Sequence, residues 1–194
     1  MKLAKRLDAV KPSPTLAITA KAKELKAKGI DVVGFGAGEP DFDTPKAIKQ
    51  AAVTALDQGF TKYTPTNGIP ELREAVCAKI AQQHGLSYKA NEVIISCGGK
   101  HALFNLFQAL LNPGDEVVIF APYWVSYADM VRLAEGVPVI VPTRHQDGFE
   151  PRAADIKKAI TPRTRAVIVN SPSNPTGAVF GRATLQHIVH EVRG

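Results

Sequence analysis

Val93-Ile94-Ile95, Val117-Val118-Ile119, Val139-Ile140-Val141 and Val167-Ile168-Val169 are unbroken runs of β-branched residues. Between them lie segments whose apolar residues recur at helical spacing. Strands that are apolar at every position, not at every second one, predict a sheet covered on both faces, and strand alternating with helix predicts that the sheet is parallel. The expected architecture is α/β, with helices packed on either side of the strands.

The punctuation of the chain supports this rhythm. Leu16, Ala20 and Leu25 predict a helix over 15–28 that stops at Gly29, and a short strand is expected at 32–35. Thr44-Pro45 reads as an N-cap followed by proline at the first helical position, opening a helix that runs through Leu56 and closes at Gly59. A third helix is expected from Pro70 to His84, ended by Gly85. Thereafter strands are predicted at 92–96, 116–120, 137–141 and 166–169, and helices at 100–111, 123–133 and 153–160. Asn112-Pro113-Gly114-Asp115 and Asp147-Gly148 supply turn chemistry between them. Leu185, Ile188, Val189 and Val192 form a last amphipathic pattern that stops without a cap, from which a chain cut off before its natural end is expected.

Composition removes several classes of function. No apolar stretch approaches the roughly 20 residues needed to cross a bilayer, and residues 1–9 lack the apolar run of a secretory signal. A cytoplasmic protein is the expectation. Cys77 and Cys97 have no Cys-x-x-Cys or Cys/His spacing, so neither a disulfide framework nor a zinc site is predicted, and both are expected to be buried thiols. The net charge of +6 is local: the first 30 residues hold eight Lys/Arg against two acids, and the remainder balances at 16 against 16. Lys21, Lys23, Lys26 and Lys28 therefore read as a solvated helix face, with no nucleic-acid partner expected. His187, His190 and Glu191 share helical spacing but lack a further ligand cluster, and no metal site is predicted.

Cys97-Gly98-Gly99-Lys100 falls where a strand gives way to a helix, so backbone N–H groups and a helix N-terminus can face an anion together. It is not a Walker A loop, since Ile94 stands where the first glycine would be and His101 follows the lysine. Gly34-Phe35-Gly36-Ala37-Gly38 is not a dinucleotide fingerprint, because Glu39 holds the third glycine position. Each glycine cluster alone serves equally well as a tight turn. Asn174-Pro175-Thr176-Gly177 follows the strand at 166–169, where open α/β sheets collect ligands, yet Asn170 and Asn174 are also ordinary turn formers. Trp124, the only tryptophan, lies beyond the strand at 116–120 and is either core or a platform for a flat ring.

Taken together, Gly38-Glu39-Pro40-Asp41-Phe42-Asp43-Thr44-Pro45, Lys62-Tyr63-Thr64, Gly68-Ile69-Pro70-Glu71-Leu72-Arg73, Gly98-Gly99-Lys100, Pro122-Tyr123-Trp124 and Asn174-Pro175-Thr176-Gly177 resemble class I aminotransferases in content, order and spacing. The resemblance covers the whole chain and is nearest to the bacterial aspartate and aspartate/prephenate aminotransferases. It implies the fold-type I architecture of pyridoxal 5'-phosphate (PLP) enzymes: a three-layer α/β/α large domain, here its first part at 46–194, preceded at 1–45 by an N-terminal arm and part of a small domain. It also implies site roles. Backbone N–H groups of Gly99 and Lys100 would hold the PLP phosphate, Trp124 would stack on the pyridine ring, Asn174 would hydrogen-bond the phenolic oxygen, and Trp124 and Asn174 would also contact substrate. Gly38 would meet the substrate carboxylate through its backbone. Tyr63 would reach the cofactor of a second subunit in a homodimer, and Lys11 would contact the second carboxylate of prephenate.

The same resemblance implies groups that this sequence does not contain. The family's Schiff-base lysine, the acid at the pyridine nitrogen, a supporting tyrosine and the arginine for the α-carboxylate all follow the Asn-Pro-Thr-Gly motif at a distance beyond residue 194. No catalytic residue is therefore assigned here, and Lys100 belongs to the phosphate. The implied activity is transfer of an amino group from aspartate to 2-oxoglutarate, with the 194-residue chain alone expected to be inactive. Alternatives are a class I aminotransferase of prephenate, aromatic or alanine specificity, and a non-catalytic PLP-binding regulatory domain.

Overall fold

The structure, a computed structural model, describes residues 2–10, 14–36 and 38–193. The chain forms two compact units, one of Met1–Pro12 with Gly98–Gly194 and the other of Ser13–Cys97.

The first unit is built on three parallel strands, β1 (Glu116–Ala121), β2 (Val137–Pro142) and β3 (Thr164–Ile168), in the order β2-β1-β3. Val118 pairs with Val139 on one side and Val167 on the other, and the central strand is the most buried one. Its side chains alternate between two cores. Val117 and Ile119 pack with Phe107 of α4 (Gly99–Leu110) and with Tyr127, Met130 and Val131 of α5 (Ser126–Leu133). Val118 and Phe120 face Ile156 of α6 (Ala153–Ala159), Ile188 of α7 (Arg182–Arg193) and Phe180. Sheet and helices thus form the three layers expected of an α/β unit. Each fully buried Val or Ile of β1 contributes about 1.5–3 kcal/mol relative to an exposed one. At the start of β1 the buried Glu116 accepts a 2.6 Å hydrogen bond from the Thr161 hydroxyl and pairs with Arg163, which ties β1 to the entry of β3. Gly136 lets the chain turn tightly beneath that core, since a Cβ there would lie 2.9 Å from Leu111 Cδ1 and 3.2 Å from the Asp115 carbonyl.

The second unit contains α1 (Pro14–Ala27), α2 (Lys46–Asp57) and α3 (Pro70–His84). Glu24 of α1 pairs with Lys28, just past the helix end, at 2.5 Å and with Lys21 at 3.1 Å, and these partners hold its carboxyl below its ordinary value. The α3 helix begins with proline in its first turn and ends at Gly85 in the left-handed region, φ 67°, as its sequence signals require. Before it, Gly68 has φ 97° and lies so close to Ile95 that a Cβ would stand 2.5 Å from Ile95 Cγ1. Arg73 donates to the carbonyls of Gly68 at 3.2 Å and Ala90 at 2.9 Å, so the Gly68-to-Arg73 motif ties the turn before α3 to the segment that follows the helix.

Several expectations are corrected. Residues 32–35 and 93–96 are not strands: 90–92 form a 3-10 turn, and Ile95 makes a single inter-segment bond, N–H to the Asn67 carbonyl at 3.1 Å. A β-prone run becomes a strand only beside a partner with free backbone groups, and none is paired with these segments among the described residues. Correspondingly Val33, Phe35 and Ile94 are 76, 93 and 72% exposed, against the expectation that every apolar run is covered. In the sheet itself only β1 is fully enclosed, while Val137 and Ile140 of the edge strand β2 remain exposed. Helix α2 starts at Lys46 with Pro45 as its N-cap, one residue later than predicted, and no Thr44 side chain caps it. The helix expected from Tyr123 starts at Ser126, and Cys97 is exposed rather than buried.

Candidate functional site

The strand order dictates where the first unit can hold a ligand. From β1 the chain passes through α5 to β2 on one side, and from β2 through α6 to β3 on the other side of β1. Helices α5 and α7, which follow β1 and β3, lie on opposite faces, so the loops leaving those strands diverge and open a crevice at the strand carboxyl ends. Those two loops are 122–125, which carries Trp124, and 169–181, which carries Asn170 and Asn174. A small cleft lined by Ile119, Tyr123, Tyr127, Ile168, Asn170 and Asn174 lies between them.

The start of α4 borders the same place. Gly98, its N-cap, has φ 92°, a conformation that L side chains rarely adopt, and the first intrahelical bond is Ala102 N–H to the Gly98 carbonyl at 3.1 Å. The N–H groups of Gly99 and Lys100 precede that bond, at the positive end of a 12-residue helix. Lys100 Nζ stands 5.1 Å from the centroid of the Trp124 ring, so the helix terminus and the indole are neighbours.

Trp124 is half-buried, packed against the α4/α5 core and edge-on to Tyr127, with ring centroids 5.4 Å apart and planes at 89°. Tyr127 is buried, and desolvation pushes its hydroxyl above the ordinary tyrosine value, which keeps it a neutral donor. It donates to Asn170 Oδ1 at 3.2 Å, an oxygen that also accepts the Asn174 N–H at 3.0 Å. The rest of the loop is closed on itself: Asn170 Nδ2 donates to the Pro172 carbonyl, Phe180 N–H to Ser171 Oγ, and Gly177 N–H to the Ser173 carbonyl. Gly177, at φ 73°, makes that last turn possible.

Of the residues selected from sequence, Gly99, Lys100, Trp124 and Asn174 thus lie in one unit: Lys100 reaches Trp124 at 5.1 Å, and Asn174 is linked to Trp124 through Asn170 and Tyr127. Gly38 and the fully exposed Tyr63 belong to the other unit, and Lys11 lies outside the described residues. Tyr127 was missed, and Asn170 was read only as a turn former. The available signal was a tyrosine three residues after Trp124, whose hydroxyl needs a partner if its ring is buried. No group of three or more His, Cys, Asp or Glu among the described residues is arranged to hold a metal, and none of the described helices is long and apolar enough to cross a membrane.

An anion-binding helix start, an aromatic platform and an amide at the carboxyl ends of a parallel sheet suit a flat, phosphorylated aromatic ligand. Residues 30–193 match the family model "Aminotransferase class I and II", and the chain belongs to that family. It is 56% identical over 184 residues to a probable aspartate/prephenate aminotransferase of Thermus aquaticus, covering 95% of this chain and 48% of that protein. It is 58% identical over 180 residues to an aspartate aminotransferase of Geobacillus stearothermophilus, covering 93% and 46%. Among solved structures, the aspartate aminotransferase of Thermus thermophilus with maleate superposes with a TM-score of 0.95 at 53% identity, covering all of this chain and 50% of that one. The chain therefore spans about half the length of the curated relatives it matches, their N-terminal half. The family is PLP-dependent, and the fold is that of its α/β large domain, incomplete.

Proposed function

We propose that this chain supplies the phosphate-holding and ring-holding part of a PLP-dependent aspartate aminotransferase, acting on an amino acid and a 2-oxo acid. The observation that carries the reading is the contiguity of the α4 N-terminus, Trp124 and Asn174 at the carboxyl ends of β1 and β3. Gly99 and Lys100 would donate backbone N–H groups to the phosphate, and the glycine at 98 lets those donors converge. Trp124 would hold the pyridine ring by stacking. Asn174 would hydrogen-bond the phenolic oxygen and keep the ring oriented. When bound, PLP supplies the electron sink that makes the bond to hydrogen at an amino acid's α-carbon labile.

The remaining roles belong to the same proposal. Gly38 would present its backbone to the substrate carboxylate, Tyr63 would serve a second subunit's cofactor in a homodimer, and Lys11 would pair with the second carboxylate of prephenate. The division into an arm and small-domain segment at 1–45 and a large domain from 46 is likewise proposed for the complete enzyme; compaction within this chain divides instead at Pro12/Ser13 and at Cys97/Gly98. Relatives named for both aspartate and prephenate support the choice of substrates.

The test uses pyridoxamine 5'-phosphate, which lacks the aldehyde that reacts with surface lysines. Saturable quenching of Trp124, the only tryptophan, competed by inorganic phosphate and shifted to about tenfold or more higher ligand concentration in Gly98→Ala, is the expected result. Quenching that is neither saturable nor sensitive to phosphate would refute the site. For specificity, Lys11→Ala in an enzyme completed with the lysine-bearing half should weaken prephenate far more than oxaloacetate; equal losses would remove Lys11 from the proposal.

A further inference from the structure

Tyr127 touches Trp124 of the cofactor site proposed above, on which this inference rests, and the loop that carries its Asn174. Its ring stands edge-on to Trp124 at 5.4 Å, and its hydroxyl reaches Asn170, 43 residues away in sequence. Asn170 in turn joins three points of its surroundings: its Oδ1 accepts from Tyr127 at 3.2 Å and from the Asn174 N–H at 3.0 Å, and its Nδ2 donates to the Pro172 carbonyl at 3.0 Å. A phenylalanine at 127 would fill the α4/α5 core equally well, since the packing partners there are Val117, Ile119, Met130 and Val131. The hydroxyl is surplus to that packing and is spent on the loop that bears Asn174.

We propose that Tyr127 and Asn170 are positioning residues, which hold the Asn174 loop in register with Trp124 so that stacking and the Asn174 hydrogen bond meet on one bound ring. A loop of 13 residues between β3 and α7 has many arrangements open to it. Two hydrogen bonds converging on one amide oxygen select one of them. Asn170 acts on the ligand only through Asn174, and Tyr127 acts through its ring on Trp124 and through its hydroxyl on Asn170.

Two measurements on the 194-residue chain test this. The first needs no ligand: amide hydrogen exchange at Asn174, followed by NMR, with circular dichroism to verify folding. Asn170→Ala should speed exchange about tenfold and Tyr127→Phe several-fold, while Asn170→Asp, which keeps an acceptor oxygen, should restore most of the protection. Tyr127→Phe should leave Trp124 emission unchanged, because the ring contact persists. Should Asn170→Ala fail to fold, the conservative Tyr127→Phe decides alone. Unaltered Asn174 exchange in Tyr127→Phe overturns the proposal.

The second measurement compares pyridoxamine 5'-phosphate with its 3-deoxy analogue by Trp124 quenching. Wild type should prefer the compound with the phenolic oxygen by about tenfold, the effect of one well-made hydrogen bond, and in Tyr127→Phe that preference should fall toward unity. A preference that survives in Tyr127→Phe overturns the positioning role. Absence of saturable quenching in wild type overturns the cofactor site itself, and the exchange measurement then still decides whether Tyr127 and Asn170 hold the loop.

Discussion

At the scale of the residue, the site depends on a few positions where backbone conformation or burial leaves no freedom. Gly98 is one: its φ of 92° disfavours any side chain, yet a Cβ there would meet nothing within 4 Å. The cost of Gly98→Ala is therefore conformational, about 1–2 kcal/mol, and urea denaturation should show it without a large change in slope. The same substitution should reduce pyridoxamine 5'-phosphate affinity about tenfold or more, because the first N–H groups of α4 would be turned away from the anion. Tyr127 gives a second prediction. Burial raises its hydroxyl above the ordinary value near 10, so the folded state holds that proton more tightly than the unfolded state. Its contribution is fully present below about pH 10 and is lost as pH rises through the elevated folded value. In an alkaline titration followed by phenolate absorbance, Tyr127→Phe should remove the component that titrates above the ordinary range.

At the scale of the element, paired positions with the same side chain carry unequal weight. Ile119 of β1 pairs with Ile140 of β2, but the first is buried and the second is 39% exposed at the sheet's edge. Ile119→Ala should cost about 2–5 kcal/mol in a denaturant titration, and Ile140→Ala about 1 kcal/mol or less. Similar values for the two would show that β1 is not the centre of the core. In the helical unit, Gly68→Ala combines a φ of 97° with a 2.5 Å approach to Ile95. It should destabilise that unit by about 2–4 kcal/mol, with loss of α3 signal on mild heating as the readout. Helix ends illustrate how far local signals reach: Gly85 ends α3 where the sequence said it would, because a left-handed cap is a property of a single residue. The Thr44 cap and the strands at 32–35 and 93–96 depended on neighbours, and those neighbours did not bear them out.

At the scale of the molecule, ligand and fold are coupled. If pyridoxamine 5'-phosphate binds only the folded chain, a concentration 100 times its Kd adds about 2.7 kcal/mol and raises the thermal midpoint by about 5–10 °C. Gly98→Ala, with its affinity reduced about tenfold or more, should remove about half of that shift or more. The surface carries its own consequence. Phe35, Ile94, Val189 and Val192 are exposed, and the outer edges of β2 and β3 have no pairing strand among the described residues. Apolar patches and open edges favour association, so sedimentation should show concentration-dependent self-association of the 194-residue chain, with dye binding to exposed apolar surface. A strictly monomeric chain that binds no such dye would contradict this.

The sequence by itself determined which runs were capable of becoming strands, which helices alternate with them, and where glycine and proline stop each element, since these follow from side-chain period and from the dihedral limits of one or two residues. It also marked Gly99 and Lys100 through the glycine pair at a helix start, and Trp124 and Asn174 because they follow β1 and β3. Only the tertiary structure decided that β1 is central, that the β1 and β3 loops open toward one crevice, and that Tyr127 and Asn170 bind them together. Strand order and a hydrogen bond spanning 43 residues depend on contacts between segments distant in sequence, and no local pattern of residues encodes which of several equivalent β-branched runs will find which partner.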